Sequence, residues 1–319
     1  MEHCRICNNN NNKYYIVKEL QIGYKDSFKY MECSECLCLQ LIDIPEDMSK
    51  YYPKDYFSFI PDEKRKISKL NKAILKLLDN SKKYYYQKKG CLVSRLICYF
   101  LPETLPPIFP DVNVYNKKIL DVGCGHGKLL KTLSASGFNN LFGVDPFIEN
   151  DITYNFDNKN IYIYKNEFTN INEKFDIIMF NHSLEHIYDQ DKTMEHIYSL
   201  LNDNGICIIC IPTVSCYLWH KYKEYWYQLD APRHIYLHSL ESMGILCERY
   251  NFKIDKVIGD SMTGNIKSKL YLKEMNDKDQ NKYLYNPFRI LTLLISVLIS
   301  KYYNKTGKSE TIRLYLSKC

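Results

Sequence analysis

The sequence predicts an α/β protein built on a largely parallel, doubly wound sheet, and three observations predict it. A short apolar strand, Ile119-Leu120-Asp121-Val122, runs into three alternating glycines and then into a helical run at Lys128-Leu129-Leu130. Eighteen residues beyond Gly127, a second apolar strand, Leu141-Phe142-Gly143-Val144, ends on Asp145. From there to about residue 260, strand-like and helix-like segments alternate, as parallel pairing requires.

In chain order, four regions emerge. Residues 1–60 hold Cys4-x-x-Cys7 and Cys33-x-x-Cys36, an asparagine run at Asn8–Asn12, and tyrosine-rich extended sequence. Two such pairs can set four thiolates tetrahedrally around one structural Zn²⁺, filling its shell and leaving no open position. A segment this small lacks the apolar area to hold itself, so the ion would supply folding energy. Cys38 and His3 are substitute ligands, and reduced buried thiols are the alternative. Residues 61–110 read as a helical linker or lid: Ile67, Leu70, Ile74, Leu77 and Leu78 recur at helical spacing opposite lysines. Prolines at 102, 106, 107 and 110 mark a boundary.

Residues 111–319 form the third and fourth regions, one α/β domain. Strands are expected at 118–122, 141–145, 161–164, 175–180, 206–211 and 252–258, with 311–316 as the last. A helix face at Met194, Ile197, Tyr198 and Leu201 separates the fourth from the fifth. A helical insertion is expected at about 265–305. Its apolar 287–303 segment is expected to pack on the core; a dimer face or peripheral membrane contact is the alternative.

Composition narrows the class. Hydrophobic residues make up 45% of the 319, enough for one full core and a satellite. A net charge of +6 permits an anionic small molecule without demanding nucleic acid. The longest apolar stretch falls short of the ~20 residues a membrane span needs. Thirteen cysteines behind a polar N-terminus lead us to expect reduced thiols and a cytoplasmic location.

The glycine spacing distinguishes two cofactors. A dinucleotide fingerprint is G-x-G-x-x-G, which sets pyrophosphate on a helix N-terminus. Here the loop reads Gly123-Cys124-Gly125-His126-Gly127, with Asp121 just before it. A carboxylate there repels pyrophosphate and suits a ligand bearing ammonium and sulfonium, which favours S-adenosylmethionine. Asp145 is placed to accept ribose hydroxyls at the carboxyl edge of the sheet. Glu167, or else Asn166, is expected at the adenine amino group, and Asn181 near the methionine moiety.

Methyl transfer is an in-line substitution that requires alignment and removal of an acceptor proton. Two segments supply candidates. After the fourth strand comes Asn181-His182-Ser183-Leu184-Glu185-His186; His182 is a base or a wall of the site. His182 and His186 also have the i, i+4 spacing of a helical metal pair, though no third ligand is evident from sequence. After the fifth strand comes Asp230-Ala231-Pro232-Arg233-His234, where His234 is the first choice for deprotonating the acceptor. Arg233 either binds a substrate anion or pairs with Asp230; Tyr222 and Trp226 are expected to wall an apolar substrate pocket. His238 reads as a structural residue before a helix.

With these landmarks the chain resembles the class I S-adenosylmethionine-dependent methyltransferases, whose first motif is D/E-x-G-x-G-x-G. It looks most like a bacterial branch that modifies surface polysaccharides and nucleotide sugars, with an N-terminal zinc knuckle. The resemblance rests on the paired cysteines, Tyr51-Tyr52-Pro53-Lys54-Asp55-Tyr56, the glycine loop, the H-S-L-E-H segment and the D-x-P-R-H loop. It implies a Rossmann-like seven-stranded sheet in the order 3-2-1-4-5-7-6, the seventh strand antiparallel. It also implies methylation of a sugar, nucleotide sugar or phosphorylated small molecule. Competing readings are an RNA base methyltransferase, on the lysine-rich 64–89 stretch, and a non-catalytic scaffold with the same fold.

Overall fold

The computed structural model describes residues 2–53, 115–156, 159–260, 264–273 and 290–319. The expected helical linker or lid, with its lysines and proline boundary, lies outside the described residues, as does the 274–289 part of the insertion. In chain order the strands begin with β1 (Asn12–Lys18), β2 (Ser27–Cys33), β3 (Leu39–Leu41) and β4 (Lys118–Val122). Helix α1 (Lys128–Ala135) leads to β5 (Asn140–Val144), β6 (Ile152–Phe156), β7 (Lys159–Tyr164) and β8 (Phe175–Asn181). Then come α2 (Gln190–Leu200), β9 (Leu201–Pro212), α3 (Tyr217–Tyr222), β10 (Tyr236–Leu237), α4 (Leu240–Arg249) and β11 (Phe252–Gly259). The described chain closes with α5 (Gly264–Tyr271), α6 (Ile290–Lys305) and β12 (Thr311–Lys318).

The chain divides into two compact units. One gathers Met1–Pro53, His182–Tyr198 and Ile209–Cys319; the other holds Lys54–Asn181 and Ser199–Ile208. In the first unit β3 pairs antiparallel with β10, Tyr236 opposite Gln40 and Leu237 opposite Leu39. The cysteine-bearing segment thus shares a four-stranded sheet, β1-β2-β3-β10, with the loop that follows Arg233.

Within the second unit the strands lie in the order β8-β4-β5-β7-β6. In the second unit, β4 lies parallel between β5 and β8, and β5 lies parallel to β7. Strand β4 is almost wholly buried, and Ile119 and Leu120 are fully so, which is why it reads as an apolar run rather than an alternating one. In the first unit, β11 and β12 run antiparallel. Helix α4 starts on a reciprocal cap: Ser239 accepts from the Ser242 amide, and Ser242 Oγ accepts from the Ser239 amide, both at 2.9 Å.

Among the described residues β6 is a strand the sequence reading did not expect, antiparallel to β7 at the edge. Its Ile-Thr-Tyr-Asn-Phe sequence carries the β-branched and aromatic signal of a strand. On α6, Ser296 and Ser300 are buried, Ile295, Leu298 and Tyr302 are exposed, and Tyr303 stacks on Tyr217. No helix among the described residues is long and apolar enough to cross a membrane.

Candidate active site

In the second unit, β4 delivers the glycine loop. Gly127 caps α1 with φ +70°, a left-handed conformation that side chains resist. A Cβ there would also run into Ile163 Cδ1. Gly143 on β5 is closely approached in the same way: a Cβ would sit 2.5 Å from Cys124 Sγ and 2.9 Å from Leu130 Cδ1. Loop, first helix and second strand therefore close on one another only with glycine at these points.

Asp145 fixes the loop directly. One carboxylate oxygen accepts from the Gly125 amide at 2.8 Å and the other from the Phe147 amide at 2.9 Å. Its role is thus wider than the expected acceptance of ribose hydroxyls: it also shapes the turn, and each oxygen retains a second lone pair. Asp121 is buried and its Oδ1 has no hydrogen-bond partner. Burial, reinforced by the neighbouring Asp145, pushes the Asp121 carboxyl up to about 8. An orphaned buried acid beside an open-backbone loop fits a ligand that brings positive charge. Cys124 is half-buried in the loop, Asn181 is exposed at the end of β8, and Glu167 is exposed after β7. Asn166 is less available for adenine, because its Oδ1 already accepts from the Glu167 amide and from Asn170 Nδ2.

In the first unit, a 3-10 turn at Leu184–His186 and the loop before β10 bring three imidazoles and two carboxylates together. Glu185 is fully buried, and neither carboxylate oxygen has a hydrogen-bond partner. His182 Nδ1 lies 3.4 Å from Glu185 Oε1, and His234 Nε2 lies 3.9 Å from that oxygen and 3.7 Å from Asp230 Oδ2. Burial opposes the Glu185 charge, yet the imidazoles of His182, His186 and His234 outweigh it and hold the carboxyl at about 2. His182 is exposed, with φ +57°.

The His234 side chain is buried, and its Nδ1 donates to the Gln228 carbonyl at 2.7 Å. Burial drives its pKa down to about 4. At His182 burial opposes the charge, but Cys210 and Glu185 outweigh it and hold the imidazole well above the usual histidine range. The helical metal pair of His182 and His186 is corrected, because residues 184–186 form a 3-10 turn and His186 groups instead with Glu185 and His234.

Of the two readings of Arg233, the ion pair is the one realised. The guanidinium is fully buried; Nε donates to Asp230 Oδ1 at 3.0 Å, and Nη2 reaches the same oxygen. Nη1 donates to the Tyr51 carbonyl at 2.9 Å, and Glu19 Oε1 stands 3.6 Å from Nη2. Glu19, in turn, accepts from the amides of Ile22, Gly23 and Tyr24. Tyr222 and Trp226, expected to wall a substrate pocket, belong to a core cluster with Leu218, Trp219 and Leu229. Apolar burial claims aromatic side chains first, and a sequence pattern does not distinguish core from cleft. His238 is structural as expected, held between Gln190 Oε1 at 2.7 Å and Ser242 Oγ at 2.9 Å.

The cysteines form two matched turns. The Asn8 amide donates to the Cys4 carbonyl and the Leu37 amide to the Cys33 carbonyl, and Asn8 and Leu37 both take positive φ. These turns bring the sulfurs of Cys4, Cys7, Cys33 and Cys36 within 4.8 Å of one another. Cys4 Sγ lies 3.5 Å from Cys36 Sγ, and Cys7 Sγ lies 3.4 Å from Cys33 Sγ. Gln40 Nε2 at 2.9 Å and the Ile6 amide at 3.4 Å donate to Cys4 Sγ. The Cys36 thiol holds the Cys4 thiol down to about 4. Glu185 and Gln40 carried no assigned role in the sequence; Glu185 sat between two histidine motifs, but only burial reveals its unpaired carboxylate.

An α/β sheet whose first strand opens on a left-handed glycine turn, with an acid closing the second strand, defines a nucleoside-cofactor enzyme. A methyltransferase-domain family profile matches residues 91–257, just over half of the chain. The chain belongs to this family and is an S-adenosylmethionine-dependent methyltransferase. No functionally curated protein matches it. Among solved structures, a SAM-dependent methyltransferase from Thermotoga maritima is 14% identical with TM-score 0.44, covering 69% of this chain and 89% of its own. A SAM-dependent methyltransferase from Listeria monocytogenes is 12% identical with TM-score 0.43, covering 70% and 97%. A cyclopropane synthase from Mycobacterium tuberculosis is 12% identical with TM-score 0.41, covering 72% and 86%.

Removing the buried cation should be costly. Arg233→Ala is expected to lower unfolding stability by about 3–5 kcal/mol, because it leaves the buried Asp230 carboxylate without its guanidinium. Urea unfolding of the purified variant measures this. A loss below 1 kcal/mol (roughly an exposed pair) would contradict the buried assignment.

Proposed function

We propose that this methyltransferase acts on a sugar, nucleotide sugar or phosphorylated small molecule of surface-glycan biosynthesis. The observation that carries the cofactor assignment is the unpartnered Asp121 carboxyl beside the glycine loop. S-adenosylmethionine, when bound, supplies an electrophilic methyl group on a sulfonium. The loop backbone admits the adenosyl moiety, and Asp145 orders that loop through Gly125 and Phe147. Glu167 and Asn181 complete the cofactor set. Asp121 offers the negative charge that a sulfonium or ammonium seeks, and it repels a pyrophosphate.

His182 takes the proton of the acceptor. Its imidazole is exposed, and Glu185, 3.4 Å away, favours the imidazolium that forms. The sugar class is supported by the motif resemblance: the cysteine pairs, the H-S-L-E-H segment and the D-x-P-R-H loop. With Arg233 committed internally, recognition of any substrate anion falls to other residues. We also assign Cys4, Cys7, Cys33 and Cys36 to one structural Zn²⁺. Tetrahedral Zn–S bonds of ~2.3 Å place sulfurs ~3.8 Å apart, close to the separations of the two measured pairs. Four thiolates complete the shell, so this ion takes no part in catalysis.

Three outcomes test the reading. Methyl incorporation from tritiated cofactor, screened across nucleotide sugars, glycan fragments and RNA, is expected with a sugar acceptor; incorporation into RNA alone would refute that class. Within that assay His182→Ala should lower turnover by about 10²–10⁴-fold, while Asp145→Ala should weaken calorimetric cofactor affinity by roughly ten- to a hundred-fold. Unchanged turnover in His182→Ala rules out His182 as the base.

Asp121 makes a pH prediction. Its neutral form dominates below about 8 in the free site, and a bound cation favours its charged form. Cofactor binding at neutral pH should therefore release a proton. The release should vanish well above pH 8, where the acid is already ionised, and in Asp121→Asn. Calorimetry in buffers of different ionisation enthalpy reads this directly, and equal heats in all buffers would overturn it.

For the cysteine site, Co²⁺ exchanged into the protein should give a sulfur-to-metal charge-transfer band that Cys36→Ser weakens. Absence of any such band from the wild type would remove the zinc assignment.

A further inference from the structure

The carboxylate and imidazole ligand atoms of Glu185, His186 and His234 lie within 4.8 Å of one another, and none of the three belongs to the cysteine cluster. Glu185 is fully buried; His182 Nδ1 stands 3.4 Å from its Oε1, and Oε2 has no hydrogen-bond partner. A buried carboxylate costs several kcal/mol unless a cation answers it. The Arg233 guanidinium is already held by Asp230 and the Tyr51 carbonyl.

The histidines do not supply the missing charge in their neutral form. His234 Nδ1 faces the Gln228 carbonyl at 2.7 Å, and His186 Nδ1 faces the Arg233 carbonyl at 2.9 Å. A carbonyl oxygen only accepts, so both Nδ1 atoms carry hydrogen and both Nε2 atoms keep a lone pair. His234 Nε2 then directs that lone pair toward two carboxylate oxygens, Glu185 Oε1 at 3.9 Å and Asp230 Oδ2 at 3.7 Å. Lone pairs facing lone pairs in a buried space call for a positive ion between them. An Nδ1–H tied to a backbone carbonyl is also the support that orients a metal-binding imidazole and raises its basicity.

We infer that Glu185, His186 and His234 form a binding site for a divalent first-row transition metal. Two imidazoles and one carboxylate suit Zn²⁺, Mn²⁺ or Fe²⁺ and leave coordination positions for water or a hydroxyl oxygen. Ligand separations in such sites are ~3.3 Å, so closure onto an ion shortens the 3.9 Å Glu185–His234 separation by about 0.6 Å and any other by at most about 1.5 Å. The site is independent of the acceptor class, and it shares Glu185 with His182.

The probe is Mn²⁺, a hard ion that thiolates bind poorly, added to the full chain and counted by electron paramagnetic resonance of the free ion. We expect one Mn²⁺ per chain, with nitrogen hyperfine coupling from imidazole in the bound signal. Glu185→Gln, His186→Ala and His234→Ala should each weaken uptake at least ten-fold, with circular dichroism and the Co²⁺–thiolate band of the cysteine site unchanged. A wild-type chain that takes up no Mn²⁺, and no Zn²⁺ beyond the thiolate-bound equivalent, overturns the site. So does bound Mn²⁺ without nitrogen coupling, or equal uptake by all three variants. Where a variant fails to fold, the wild-type stoichiometry and hyperfine coupling still decide. Methyl transfer is scored separately, so a chain that methylates without the metal loses this site and keeps the proposed function.

Discussion

The first unit depends on the buried guanidinium of Arg233. A cation removed from water is tolerated only when every donor finds an acceptor, and here Asp230, the Tyr51 carbonyl and Glu19 provide them. Those acceptors come from distant parts of the chain, so the ion pair ties the N-terminal strands to the loop before β10. Tyr30 reinforces the tie by donating to the His234 carbonyl at 2.8 Å. The His234 ring is thereby fixed, with Nδ1 on Gln228 and Nε2 toward Glu185. The residue expected to hold a substrate anion is the one that makes the loop rigid.

The second unit applies a different electrostatic device. Two acids lie side by side under the glycine loop. Asp145 is satisfied by backbone amides, while Asp121 is buried without a partner on Oδ1. Burial, with Asp145 beside it, pushes the Asp121 carboxyl upward. A satisfied acid holds the loop in shape; an unsatisfied one reserves charge for a cationic ligand. The same logic recurs in the first unit, where Glu185 is the acid left without a hydrogen-bond donor.

What was legible in the sequence followed short-range rules. The strands at 118–122, 141–145, 161–164, 175–180, 206–211, 252–258 and 311–316 each fall within or one residue from an observed strand. Apolar run length and turn residues carry that signal locally. The glycine turn was legible because positive φ excludes most side chains, and the cysteine turns because each pair closes within a few residues. Edge strand β6 escaped, although its residue types were favourable.

By itself the sequence determined the alternation of strand and helix, the cofactor loop with its two acids, and the paired thiols. Each of these is written in residues close together along the chain. Only the tertiary structure decided that Arg233, Tyr222 and Trp226 are internal, that His234 is buried, and that Glu185 joins His186 and His234. Those outcomes turn on which distant segments exclude water from a side chain. Burial is a property of the assembled chain, and no local pattern of residues encodes it.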